Sequence, residues 1–376
     1  MSSELPDGWA SQPLSSTAKI AMGETLLSKD LTGTGVPVFS ANTDSGPWGH
    51  TDQNRRTLKR GSIVVGARGS IGFPRLPAYD TFTSTQTTIT VEPDASVVDS
   101  TYLHAVLCAA DIRSLAAQQA VPMLTIGMLA PLPILLPPLD EQRRIAEVLR
   151  SVDEALTGAS VALSQTVEAR AHQLERIMAL PGDMRPLAEV CRLGGGSGFP
   201  IKHQGKQKGT YPFAKVSDMN RLGNETELKT AENYVDDADL KVLRAKTFPP
   251  GTTFFPKVGA TLLTNKRRIA VRETVVDNNI MAAVPTDIDQ WFLFYAFSTI
   301  DMADYVQAGA VPSINQGTVG KIMIPVPSRE VQTRYVETMR DLDQAIQAQR
   351  AAITTLIGTK TAVSADLLSG RVRVPA

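Results

Sequence analysis

The hydrophobic pattern is most regular where the chain is most charged. After Pro137-Pro138-Leu139-Asp140-Glu141-Gln142-Arg143-Arg144, the residues Ile145, Leu149, Val152, Leu156, Leu163 and Ile177 fall on one stripe, in steps of four and three that later widen. That spacing is a heptad seam on an α-helix. The two prolines stop what precedes. Asp140 is placed as N-cap, and Glu141 puts negative charge in the first turn, where the helix dipole favours it. No proline intervenes before Pro181-Gly182, so one helix of about 42 residues, roughly 63 Å long, is predicted.

The same stretch occurs twice, 190 positions apart: Gln142 lands on Gln332, Arg144 on Arg334, Glu147 on Glu337, Arg150 on Arg340 and Asp153 on Asp343. The seam lands too, Leu149 on Met339, Val152 on Leu342, Leu156 on Ile346 and Leu163 on Ile353. Upstream, Ala120-Val121-Pro122 lands on Ala310-Val311-Pro312, Gly127 on Gly317, Pro137 on Pro327, Gly61 on Gly251 and Gly69 on Gly259. One register held this long is an internal duplication. The second helix is expected from Ser328, its N-cap, to about residue 368. Tyr335, Leu356 and Leu367 extend its seam, and Gly370 supplies the stop.

Each helix follows a globular module. In the first, Leu5-Pro6-Asp7-Gly8-Trp9 reads as a turn with an aromatic anchor, Gly33–Gly49 as loop, and Ser62–Val65 as a strand. Gly66–Gly72 is a glycine-rich turn carrying Arg68. Thr87–Val91 and Ile134–Leu136 read as strands, and Ser100–Ala120 as a helix with Leu103, Leu107, Ile112 and Leu115 inward. In the second, Gly194-Gly195-Gly196 and Gly198 read as a flexible loop, Thr252–Phe255 and Asn279–Val284 as strands, and Gln290–Ala308 as a helix. Its Trp291, Phe294 and Phe297 are assigned to the core, not to a base-stacking platform.

A single amphipathic helix this long cannot bury its seam on its own module, whereas two can bury theirs on each other. The expected fold is α+β: two pseudo-symmetric globular domains separated by a pair of long antiparallel coiled-coil helices. The seam would comprise Ile145, Leu149, Val152, Leu156 and Leu163 with Met339, Leu342, Ile346 and Ile353. Such a pair is a ruler between modules.

Composition narrows the function. Lys plus Arg and Asp plus Glu both number 38, so net charge gives no argument for a nucleic-acid partner and local distribution must decide. The two cysteines, Cys108 and Cys191, show no CxxC and no nearby histidine, which argues against zinc; Cys108 is assigned to the core. The longest apolar run is too short and proline-rich to span a membrane, and the N-terminus shows no apolar signal region, so a cytoplasmic location is expected. No P-loop, zinc-protease, nucleophile-elbow or dinucleotide motif is present, nor the Asn-Pro-Pro-aromatic run of amino-methyltransferases. No catalytic or metal site is assigned.

Binding features are better developed. Gln53–Tyr79 contains no acid but carries Arg55, Arg56, Lys59, Arg60, Arg68 and Arg75. Ile201–Ser217 again contains no acid and carries Lys202, His203, Lys206, Lys208 and Lys215. A third cluster is Lys266-Arg267-Arg268 with Arg272, and Lys257 precedes it. Any one cluster can be a solvated loop face. Three in two duplicated modules favour phosphate contacts and double-stranded DNA.

The run Pro137-Pro138-Leu139-Asp140-Glu141-Gln142-Arg143-Arg144-Ile145-Ala146 resembles the PPLxEQxxIA segment that heads the central repeat in specificity (S) subunits of type I restriction–modification systems. Leu5–Trp9 resembles their start and Leu367-Leu368-Ser369-Gly370 the close of their second helix. The second copy is degenerate, reading Pro327-Ser328-Arg329-Glu330-Val331-Gln332. The resemblance implies target-recognition domains at 1–138 and 181–327 and conserved helical spacers at 139–180 and 328–376. It further implies a non-catalytic chain that reads a bipartite DNA site, binds two methyltransferase (M) subunits through its helical regions and recruits restriction/translocase (R) subunits. S-adenosylmethionine would sit on the partner, so no cofactor is expected here. Arg68, Lys257 and Lys266–Arg268 are the favoured readers, while Gln142 and Gln332 are assigned to helix-start structure. Alternatives are the specificity subunit of a related system whose partner fuses methyltransferase and nuclease, a structural adaptor that never touches DNA, and an enzyme without recognisable motifs.

Overall fold

A computed structural model of the chain describes residues 5–42, 46–53, 55–116, 122–306 and 311–374. It divides into two compact units, one made of Met1–Val161 with Ala351–Ala376, the other of Ala162–Arg350. The division falls within both long helices, Leu139–Arg176 and Arg329–Leu368.

In the first unit a four-stranded sheet runs in the order Ala18–Met22, Thr88–Pro93, Ile63–Gly66, Pro74–Arg75. A second runs Gly49–Thr51, Val36–Phe39, Thr81–Ser84, Leu58–Lys59, with Val38 parallel to Thr83. Ile63, Val64 and Val65 are all buried, as expected of a strand covered on both faces. The second unit repeats the plan. Its larger sheet runs Cys191–Gly195, Ile280–Pro285, Thr253–Pro256, Arg268–Ala270, Glu227–Leu228. Its smaller sheet, Asn233–Val235, Tyr211–Ala214, Val275–Val276, again has one parallel pair, Phe213 with Val275. Each unit also has a two-stranded ribbon leading into its helix, Ala10–Pro13 with Pro133–Leu136 and Asp183–Pro186 with Met323–Val326.

Both helices begin within a residue or two of expectation. The first starts at Leu139, so Asp140 lies inside the first turn, where it pairs with Arg143 at 3.1 Å, and is not the cap. Ser328 does cap the second, its Oγ accepting the Val331 N–H at 3.4 Å.

The seam residues also pack on the modules. Ile145 and Leu149 are buried in their own module's core with Tyr102, Leu103 and Leu367. Tyr335, Val336 and Met339 likewise join Phe292 and Tyr295. Each helix follows directly on the last strand of its module, so its opening turns lie over that module. Val152, Leu156, Leu163, Leu342 and Ile353 are half-buried, and Ile346 is buried.

Within each unit the helical segments run antiparallel. In the first unit Lys360 pairs with Asp153 and Arg373 with Glu141. In the second Arg170 pairs with Asp343, Gln349 donates to Thr166 at 3.1 Å, and Tyr335 Oη donates to the Gln173 carbonyl at 2.9 Å. Asp153 and Asp343 are 190 apart in the chain, and so are their cations Lys360 and Arg170.

Several local expectations change. Gly33–Gly49 contains the strand Val36–Phe39. Gly194 and Gly195 belong to a strand paired with Ile280–Pro285 and not to a loop. The helix Ser100–Ala109 stops at Ala110 and a short one, Ile112–Ala116, follows; Gln290–Ser298 also stops early. Ala120, Val121, Ala308 and Ala310 lie outside the described residues. Cys108 is exposed, because Leu103 and Leu107 take the buried face of its helix. His104, one turn earlier, does lie near it, with Nε2 3.4 Å from the sulfur. Burial pushes the Cys191 thiol up to about 12, the reverse of an activated nucleophile.

Candidate nucleic-acid interface

The turn that carries Arg68 is closed by its own backbone. The N–H groups of Ala67 and Arg68 both donate to the Thr87 carbonyl, at 2.8 and 3.1 Å, and Gly72 donates to Gly66 at 2.9 Å. Leu124 N–H reaches the Ala67 carbonyl at 2.9 Å. A Cβ on Gly66 would sit 2.0 Å from the Ser70 carbonyl, so this closure requires glycine. Arg68 stands exposed on this frame, with Nε 3.1 Å from Met123 Sδ. Beside the turn, the hydroxyls of Ser40, Thr85 and Thr87 form one hydrogen-bonded cluster.

The second unit builds the same frame. Lys257 N–H donates to the Asn279 carbonyl at 2.8 Å, and Ile314 N–H to the Lys257 carbonyl at 3.0 Å. Gly259 N–H donates to Pro312 at 2.8 Å. Position 258, the counterpart of Arg68, is valine, and the cation is one residue earlier, at Lys257.

The other cations fall into three groups. Arg55, Lys59, Lys202 and Lys208 are exposed and form no salt bridge among the described residues; Arg55 donates to Gln53 Oε1 at 2.8 Å. Arg60 pairs with Asp80 at 2.9 Å, but both side chains are well exposed, so the pair is weak and easily exchanged for a phosphate. Lys206 pairs with Asp236 and Asp239, and its hydrogen bond leads the contacts that hold the Asp236 carboxyl at about 2.

The third group is engaged within the fold, a role that the sequence does not show. Arg56 is tied to Glu92. Arg75 donates to Ser40 O and Asn42 Oδ1 and lies over the Phe39 ring, 5.3 Å from its centroid. Arg267 is 4% exposed and donates to the carbonyls of Phe297 at 3.3 Å, Ile300 at 3.2 Å and Lys266 at 3.0 Å. Burial pushes its guanidinium down to about 10. Arg268 donates to the carbonyls of Arg267 and Met219, and Lys266 to Asn220 Oδ1. These two brace the loop 215–232, which is further held by buried Asp218 and Asn224.

Gln142 and Gln332 are buried and bonded at the helix starts. Among the described residues no group of three or more His, Cys, Asp or Glu is placed to hold a metal ion. No helix among them is long and apolar enough to cross a membrane.

A family profile described as the type I restriction modification DNA specificity domain matches this chain twice, over residues 6–168 and 182–355. The chain belongs to that family. It is a type I restriction–modification specificity subunit with two recognition domains. Three solved structures share its fold across nearly the whole length. The type I system S subunit from M. genitalium is 18% identical, with a TM-score of 0.64 over 97% of each chain. A chain from a study of complex assembly and conformational transition of the type I R-M system is 16% identical, with a TM-score of 0.60 over 98% of this chain and 100% of that one. The HsdS subunit from Thermoanaerobacter tengcongensis is 17% identical, with a TM-score of 0.50 over 99% of each.

Seen as two specificity domains, residues that build the frame match across the duplication, such as Gly61 with Gly251 and Asp99 with Asp289, whereas the closed turn carries arginine at 68 and valine at 258. Gln316, on the turn after Asn315 in the second domain, was not singled out from sequence; an isolated glutamine in a Ser-Ile-Asn-Gln-Gly run gives no periodic or charge signal.

Proposed function

We propose that each recognition domain reads one half of a bipartite, asymmetric DNA site, and that the chain itself catalyses nothing. The observation that carries this is one frame built twice with different chemistry on its closed turn: Arg68 in the first domain, Lys257 beside a valine in the second. Two such readers select two different half-sites. Half-sites on one face of the duplex would be centred about 10 bp apart, and the helices would set the gap. Arg55, Lys59, Lys202 and Lys208 would supply phosphate contacts.

M subunits would dock on the helices. Glu147 and Glu337 are exposed at matching positions and make no ion pair among the described residues. Exposed identity between two otherwise diverged copies is expected where both face the same partner. S-adenosylmethionine and the chemistry would belong to that partner, with R subunits recruited to the assembly in the cytoplasm. The assembly described for a similar chain supports this reading.

The test is co-expression with the neighbouring methyltransferase gene, followed by mapping of methylated adenines in the host genome. One asymmetric bipartite motif, present only when both chains are made, is the expected result. No new methylation from an intact purified complex would overturn the reading.

A further inference from the structure

Three consecutive glycines, Gly194 and Gly195 at the end of the strand Cys191–Gly195 and Gly196 just beyond it, lie at the edge of the second domain's large sheet, and the fold demands only two of them. A Cβ on Gly194 would lie 2.9 Å from the Phe248 ring, and one on Gly196 would lie 2.0 Å from the Asp277 carbonyl. Gly195 between them has no such neighbour, and its φ is not in the left-handed region. The nearest atoms to a Cβ there would be Lys257 Nζ at 3.5 Å and Gln316 Nε2 at 3.7 Å. Glycine at 195 therefore keeps open a small space bordered by an ammonium and an amide. Neither side chain has a hydrogen-bond partner among the described residues, although Lys257 is half-buried.

The frame around this space is rigid. Lys257 is fixed through its N–H and its carbonyl, and Gln316 opens a helical turn capped by Asn315, whose Oδ1 accepts the Thr318 N–H at 2.9 Å. At the matching strand end, and 190 positions earlier, the first domain has Met22, Ala67 and Ile126. Three positions thus differ together, from apolar residues in one domain to a glycine and two donors in the other.

We propose that Lys257 and Gln316 form a specificity-determining pair that takes the major-groove edge of one guanine in the second domain's half-site. Guanine presents two acceptors there, O6 and N7, and no donor. The Lys257 ammonium can only donate, and the Gln316 amide can turn its N–H2 to the same edge, so the pair matches two acceptors; the discrimination rests on Lys257, which the N6 amine of adenine would face donor to donor. This rests on the two-half-site reading above and adds which residues read what.

The test uses the full complex with its methyltransferase chains and a duplex carrying the mapped site. Each guanine of the second half-site is replaced in turn by 7-deazaguanine. With the unaltered protein, one replacement lowers specific affinity by about tenfold. Lys257→Met and Gln316→Leu lose that sensitivity, and Gly195→Val, which changes no charge, loses it too while the complex still forms and binds non-specific DNA unchanged. Equal weakening on all duplexes with a salt slope reduced by about one would mean that Lys257 holds a phosphate, and overturns the proposal. So does 7-deaza insensitivity of an unaltered complex that still binds its site specifically, and that outcome leaves the half-site reading standing. Absence of specific binding by the unaltered complex would remove both.

Discussion

The side-chain oxygen of Gln142 accepts the backbone N–H of Asp99 at 2.8 Å, and Asp99 in turn caps the helix Ser100–Ala109 through Thr101 and Tyr102. Gln332 repeats the bond to Asp289 at 2.8 Å, and Asp289 caps Gln290–Ser298 through Trp291 and Phe292. Each glutamine also donates to the proline carbonyl five residues earlier, at 2.8 Å in both cases. One buried amide thus locks the start of a long helix to the start of a short one. Gln142→Leu or Gln332→Leu leaves those backbone groups buried and unpaired, at a cost of about 1–3 kcal/mol each. Urea denaturation followed by tryptophan fluorescence would show it. A change below 0.5 kcal/mol would refute the locking role.

Two arginines of one sequence cluster type should behave oppositely. Arg267→Ala strands the carbonyls of Phe297 and Ile300 and is expected to destabilise the second domain by about 1–3 kcal/mol. Arg68→Ala should leave stability within about 0.5 kcal/mol and lower specific DNA affinity by about 1–3 kcal/mol if it meets a guanine edge. An unchanged ratio of specific to non-specific affinity would remove Arg68 from base reading.

Acid should loosen the first unit through Glu141. The hydrogen bonds and then the charge of Arg373 hold this carboxyl below its ordinary range. A carboxylate so lowered stabilises the fold above its unfolded value, about 4.3, and loses that contribution as pH falls through the folded value. Glu141→Gln should lower stability at neutral pH and flatten the decline below about pH 4.3. Parallel acid-range profiles for the two proteins would contradict this.

The gap between half-sites should follow helix length. Because Asp153 pairs with Lys360, both helices must be shortened together to keep register. Deleting residues 157–160 with 353–356 removes about 6 Å of rise and turns the helix by roughly 40°. The preferred gap in the methylated motif should change. An unaltered gap from an active complex would end the ruler idea.

The duplicated scaffold was legible because heptads, prolines and glycines carry local signals that repeat. The interface was legible only in part. Lys266 and Arg267 are neighbours in sequence, yet one reaches a loop and the other is buried, and no local pattern separates them. Arg56, Arg60 and Lys206 find their acids in Glu92, Asp80 and Asp236, at separations of 36, 20 and 30 residues, which only the fold brings together. Gly194 and Gly195 read as loop because glycine disfavours strands; pairing with Ile280–Pro285 overrides that preference.

The first unit is assembled from two separate stretches, Met1–Val161 and Ala351–Ala376. Arg373 reaches Glu141 and the Asp7 carbonyl, Leu367 enters the core, and a Cβ on Gly370 would strike Pro6 at 2.5 Å. The second unit is continuous from Ala162 to Arg350. Order of synthesis therefore inverts order of completion. The domain translated first waits, with Ile145 and Leu149 lacking Leu367, while the intervening residues are made. At roughly 5–20 residues per second that wait lasts on the order of 10–40 s. A nascent chain released early would carry a finished second domain and an open first one, so translation itself decides which half of the reader matures last.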